Sequence, residues 1–360
     1  NWSVMAIILL TGTLFMCWNM TSCTLLKAEN QVNTAYDLRM NGHADSAVIL
    51  LNKIIKDDPE DASAYYELAR AKMHIMLSGR KYVIKDIIAD ASKASELEPD
   101  NEAFAYFKAK TIFLNVYMQL MQGSNDAQTD FQASVDAFED VLKIEACCPS
   151  VLITLTEIYS MLPEEMGGNR TKAEAYAAKL ESCDPVQGLK ATALLQPNEE
   201  ELLNFWIDAY ENKEENAVIS EELGRAYLIN GDIESAKKYM QEAHKLNPEN
   251  CMVLIDLGRA TMMLAMESQD KKMGEDAINV YQKYLTEYPD APDPMKAYIY
   301  GMMGLTCNRI IGNQTLADEY ISQKEALDPF CSRAFGSPSL ALFVTPGEMY
   351  EGTGYYSRPF

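Results

Sequence analysis

The sequence predicts an all-α solenoid of stacked helix hairpins with no sheet. Three observations carry that expectation. Ala, Leu, Met, Glu and Lys, all good helix formers, fill most segments, while Gly (18) and Pro (14) are few and β-branched runs are scarce. Proline recurs at 59, 99, 149, 185, 248, 289 and 329, mostly beside acidic residues or Asn, as in Asp58-Pro59-Glu60-Asp61 and Asn247-Pro248-Glu249-Asn250. Such a Pro ends one helix, and its polar neighbours cap the next. Finally, Leu223-Gly224-Arg225 returns 34 residues later as Leu257-Gly258-Arg259, the self-similarity of a repeat.

Composition narrows the function. The chain has 360 residues and a net charge of −22, from 31 Lys and Arg against 53 Asp and Glu. Affinity for a phosphate backbone comes largely from Lys and Arg, so nucleic acid is not an expected partner. Hydrophobic residues make up 48% of the chain, enough for an extended core, which excludes global disorder.

The first charged residue is Lys27, and Val4 to Trp18 is almost wholly apolar. That run suits the core of a signal peptide better than a membrane span of about 20 residues. Met20-Thr21-Ser22-Cys23 resembles a bacterial lipobox. The resemblance implies a leader over 1–23, lipid on Cys23, and a periplasmic or outer-membrane lipoprotein held to the membrane by that lipid alone. Simple signal cleavage is an alternative. So is an uncleaved helical anchor, since the 26 uncharged residues are long enough to span a bilayer with tilt. The eight cysteines include no C-x-x-C pair, so zinc and thioredoxin-like sites lack their spacing. Most are expected to be small buried hydrophobes, with pairing of some left open.

Within 217–250, Leu223, Gly224, Tyr227, Gly231, Ala236, Met240, Ala243 and Pro248 stand at signature positions of the tetratricopeptide repeat (TPR) family, which this segment resembles. Ser220 departs from the usual Trp or Leu. Residues 28–61 repeat the pattern with Ala35, Leu38, Gly42, Ala47, Leu51, Ile54 and Pro59. The resemblance implies a right-handed TPR-like solenoid over 28–330, and the punctuation divides it into eight hairpins: 28–61, 62–101, 102–151, 152–186, 187–216, 217–250, 251–291 and 292–330. In the fifth, Leu202, Trp206 and Ala209 take second-helix positions. Extra residues are expected between paired helices near 76–83, 121–130 and 266–275. Gly42 and Gly231 fall in interhelix turns, where positive φ is expected. Gly224 and Gly258 fit where a partner helix passes too close for a side chain. Residues 331–360 break the helical pattern; they read as an irregular tail that either caps the last helices or binds a partner.

Catalytic chemistry lacks materials. His43, His74 and His244 lie in a turn and two separate helices, and no phosphate-loop, nucleophile-elbow or H-E-x-x-H motif occurs. No enzyme activity, metal or cofactor is expected. In the TPR family the first helix of each hairpin lines a concave groove. Carried over position by position, the resemblance places Arg70, Lys110, Arg225 and Arg259 at one groove position, with Tyr66 and Tyr106 at another. Such a ladder of cations and aromatics suits an acidic peptide segment. Local pairs, Glu67–Arg70, Glu221–Arg225 and Asp256–Arg259, would instead neutralise the cations. The chaperone-type carboxylate clamp is absent, since Val32 and Tyr36 occupy its positions. The expected function is therefore a non-enzymatic protein-interaction scaffold in the cell envelope. The alternative is a periplasmic ligand-binding or chaperone-like component of a transport system.

Overall fold

A computed structural model describes residues 31–331 apart from 80, 122–126, 163, 165–166 and 213–214. The expected leader, Cys23 and the tail beyond Cys331 lie outside the described residues. Among those described, sixteen α-helices follow one another in eight pairs and no strand occurs. The pairs are α1 (31–40) with α2 (Ala44–Asp57), α3 (Ala62–Leu77) with α4 (Ile84–Leu97), α5 (Glu102–Met121) with α6 (Ala127–Ile144), and α7 (Pro149–Met161) with α8 (Arg170–Cys183). Next come α9 (Pro185–Ala193) with α10 (Glu199–Asn212), α11 (Ala217–Ile229) with α12 (Ile233–Leu246), α13 (Met252–Ser268) with α14 (Lys271–Glu287), and α15 (Asp293–Thr306) with α16 (Gln314–Leu327). A π turn, Cys307–Ile311, joins the last two.

The boundaries follow from local chemistry. Asp61 accepts from Ala64 N at 2.9 Å and caps α3; Asn216, Asp232 and Asp270 cap α11, α12 and α14 in the same way. Among the recurring prolines, Pro149 and Pro185 behave differently from those that follow a helix end. They open α7 and α9, because a first-turn N–H has no intrahelical acceptor to lose. The extra residues at 266–275 also form no loop. They lengthen α13 and α14 to 17 residues each and leave only Gln269 and Asp270 between them, because Asp270 caps a stretch already rich in helix formers.

The glycines mark tight places. Gly42 and Gly231 turn the chain at φ 77° and 79°. A Cβ at Gly224 would lie 2.7 Å from Met240, and one at Gly258 would lie 2.4 Å from the Tyr281 ring. Both hairpins therefore cross where only hydrogen fits. A third such glycine governs the fifth pair. A Cβ on Gly188 would fall 2.4 Å from Glu181 Cα, so the nine-residue α9 presses onto α8. α10 turns instead to α11, and Trp206 and Ala209 pack with Ile219, Leu223 and Ala226. The expected hairpin at 187–216 is thus two helices shared between neighbouring pairs. Cys147 and Cys183 form a disulfide that ties the entry of α7 to the exit of α8, while Cys148, Cys251, Cys307 and Cys331 are buried thiols.

The stack returns on itself. His74 on α3 and Asp328, just after α16, are both fully buried and lie 2.7 Å apart. Phe330 meets His74 edge-on and packs on the core of the first two pairs. A Cβ on Gly42 would overlap the Leu327 carbonyl. Met40, Ala69 and Met73 consequently share one apolar core with α13 to α16. The first and last hairpins cover each other.

Candidate functional site

The densest polar constellation lies where α9, α11 and α13 come together. Ile219, Leu223 and Ala226 bury one face of α11, which fixes Glu221, Glu222 and Arg225 beside it. Arg225 donates to Glu221 Oε1 at 2.8 Å and to Glu222 Oε1 at 3.0 Å, and it reaches across to Asp256 on α13. Lys190 of α9 pairs with Glu222 at 3.2 Å. Arg259, one hairpin beyond Arg225, has its Nη1 3.8 Å from Asp256 Oδ1. Asn250 donates to the other Glu221 oxygen at 3.1 Å.

Three cations therefore meet three carboxylates. Water is largely excluded, and burial raises the Glu221 carboxyl to about 7 against the pull of Arg225. Burial likewise lowers the pKa of the Lys190 ammonium. Charges withdrawn from water to this degree depend on one another, because removing one partner strands the rest.

Arg225 and Arg259 stand side by side, as one shared repeat position requires, but Asp256 lies between them. Tyr66 and Arg70 occupy a second centre and are 7% and 4% exposed. Arg39 donates to Glu67 at 2.5 Å; Arg70 lies 3.5 Å from the same carboxylate and over the Tyr66 ring. Tyr66 packs on Phe104 at 4.7 Å and on Phe107 at 5.5 Å. These groups join the first three pairs and leave little surface to a partner. Tyr106 and Lys110 on α5 are half-buried, with Tyr106 6.4 Å from Phe138. The six expected groove residues are thus split between two charged centres and the α5 face. Sequence reasoning missed Lys190 and Glu222. Glu222 was open to an i,i+3 reading with Arg225, whereas Lys190 takes its partner from another hairpin.

Residues 219–250 match the tetratricopeptide repeat family, that is, most of α11 and all of α12. That segment is a tetratricopeptide repeat. It is similar to a thermophilic TPR protein from Thermus thermophilus at 14% identity, over 65% of this chain and 98% of that one, with a TM-score of 0.39. A tetratricopeptide repeat protein from Parabacteroides merdae is 12% identical over 82% of this chain and 98% of its own, with a TM-score of 0.43. The human IFIT1 dimer with PPP-AAAA is 14% identical over 86% of both chains, with a TM-score of 0.34. No curated protein matches. The TPR architecture of the chain rests on its own helix pairing, and it is the architecture of a protein-interaction scaffold.

Proposed function

We propose that this TPR protein is a non-enzymatic scaffold of the bacterial cell envelope that holds an acidic segment of a partner protein against its first-helix face. The observation that carries the reading is the pair Arg225 and Arg259 on adjacent first helices, with Lys110 and Tyr106 further along that face. Tyr66 and Arg70 belong to the reading as its supporting wall, since their own surface is small. The Cys147–Cys183 disulfide supports export, because such bonds persist in oxidising compartments. Export would follow the leader 1–23, and lipid on Cys23 would supply the only membrane attachment. Among the described residues no helix is long and apolar enough to cross a membrane.

One observation favours the second reading, a periplasmic ligand-binding or chaperone-like component of a transport system. The meeting of the first and last hairpins at His74 and Asp328 suits an enclosed occupant better than one laid along an open groove. The test begins with a partner captured on the full chain. It is then titrated against wild type and Arg225→Ala/Arg259→Ala at two salt concentrations. The scaffold reading expects binding at least about tenfold weaker in the double variant and weaker at high salt. Equal affinity in a folded variant would remove the first-helix face as the site.

A further inference from the structure

Helix α10 carries more apolar surface than its neighbours cover. Because α9 presses onto α8, α10 packs chiefly on α11, and of its fourteen residues only Trp206 and Ala209 are buried. Leu203, Ile207 and Tyr210 follow at intervals of four and three, so they line one side of the helix. All three are only half-buried. Glu200 and Glu211 flank that row at the same spacing and are exposed. From Glu199 to Asn212 the helix has five acidic residues and no Lys, Arg or His. None of those acids forms an ion pair among the described residues.

The row ends at an aromatic group shared with α11 and α12. The Tyr210 ring meets Tyr239 edge-on at 5.1 Å, and Tyr239 stacks on Tyr227 at 5.4 Å. Beside them stands the half-buried carboxylate of Glu242. It accepts from the Tyr210 hydroxyl at 2.9 Å and from Ser220 Oγ at 2.8 Å, and no cation lies within ion-pair distance of it among the described residues. Lys238, one turn earlier on α12, instead holds its ammonium 4.6 Å from the centre of the Tyr239 ring. Hydroxyl donors orient a carboxylate without cancelling its charge. A half-buried anion beside aromatic rings is complementary to a cation, which is attracted by both.

The geometry points to a docking site for a basic amphipathic helix of a partner protein, laid along Leu203, Ile207 and Tyr210 with a Lys or Arg directed to Glu242. The apolar side of that helix covers the α10 row, and its basic side answers the acidic flank. A second copy of this chain is a poor occupant, because each copy carries a net charge of −22. The surface lies on second helices, so it is separate from the first-helix face and does not depend on it.

The test titrates the full chain into a fluorescein-labelled, blocked amphipathic helical peptide of Leu and Lys, with anisotropy as the readout. A peptide of the same Lys content with Ser in place of Leu is the control. Saturable binding is expected for the first peptide, at least about tenfold tighter than for the second. Glu242→Gln should weaken it about tenfold, as loss of a charge-assisted contact requires, and Glu200→Gln/Glu211→Gln a few-fold. Arg225→Ala/Arg259→Ala should leave it unchanged. Circular dichroism checks each variant. Glu200 and Glu211 are exposed, so their variant reads the site even where Glu242→Gln loses helicity. Equal binding of the two peptides would reduce the surface to diffuse acidity and overturn the inference. Full affinity in folded Glu200→Gln/Glu211→Gln and Ile207→Ser would overturn it as well. Sedimentation equilibrium covers the remaining occupant: a dimer of the chain alone that Ile207→Ser dissociates would assign the face to a second copy instead.

Discussion

His74 and Asp328 are 254 positions apart in sequence, and their side chains meet at 2.7 Å with no surface left to solvent. This contact brings the third helix against the exit of the last one. Asp328 also accepts from Phe330 N at 2.8 Å, which seats Phe330 on the first hairpins. His74→Ala removes a partner from a buried carboxyl and leaves a void. Destabilisation of ~1–3 kcal/mol is expected, read as a lower urea midpoint. Amide exchange should quicken first in α16 and α1. Unchanged exchange there would mean that the ends are held by their apolar contacts alone.

Gly258→Leu should cost ~1–3 kcal/mol by overpacking. The Tyr281 ring stands where the first side-chain carbon would go, and it is itself fully buried. It has little room to yield. A thermal melt of the variant that matched wild type would show that α13 and α14 can part at no cost.

Cys183→Ser opens a covalent loop of 36 residues. The chain-entropy estimate for a loop of that length is ~4 kcal/mol at most. Helices α7 and α8 should therefore become the first part of the protein cut by limited proteolysis, in the variant and in reduced wild type alike. Resistance equal to the oxidised protein would leave the bond without a stabilising role.

Glu221 predicts a pH dependence with a definite sign. Burial raises its folded-state pKa from the ordinary 4.5 to about 7. Between those values the folded state keeps a proton that the unfolded state has released. Stability from this group is therefore present below pH 4.5 and is lost as pH rises to about 7. Glu221→Gln should flatten that part of the profile, measured as urea midpoints across the window. A steeper fall in the variant would reverse the sign of the argument.

Cys23→Ser tests the anchor. If lipid on Cys23 is the membrane attachment, the variant should pass from the membrane fraction to the soluble fraction. Persistent membrane association would point to an uncleaved anchor.

The helix pairs were legible in the sequence because each boundary is set by groups close together along the chain. Asp61, Asp232 and Asp270 cap helices within three residues of themselves, and Gly42 and Gly231 turn the chain where positive φ is needed. The crossings at Gly224 and Gly258 are settled within one hairpin, by Met240 and Tyr281. Even Arg225 beside Arg259 follows from a period of one repeat. The tertiary structure decided everything that depends on how successive hairpins are rotated against each other. α9 leaves α10 for α8 because Gly188 permits that approach. Lys190 reaches Glu222, and Asp256 comes to lie between two arginines. Small rotations accumulate over eight pairs until Leu327 meets Gly42 and His74 meets Asp328. No local pattern encodes that sum, because it depends on the packing of every intervening hairpin.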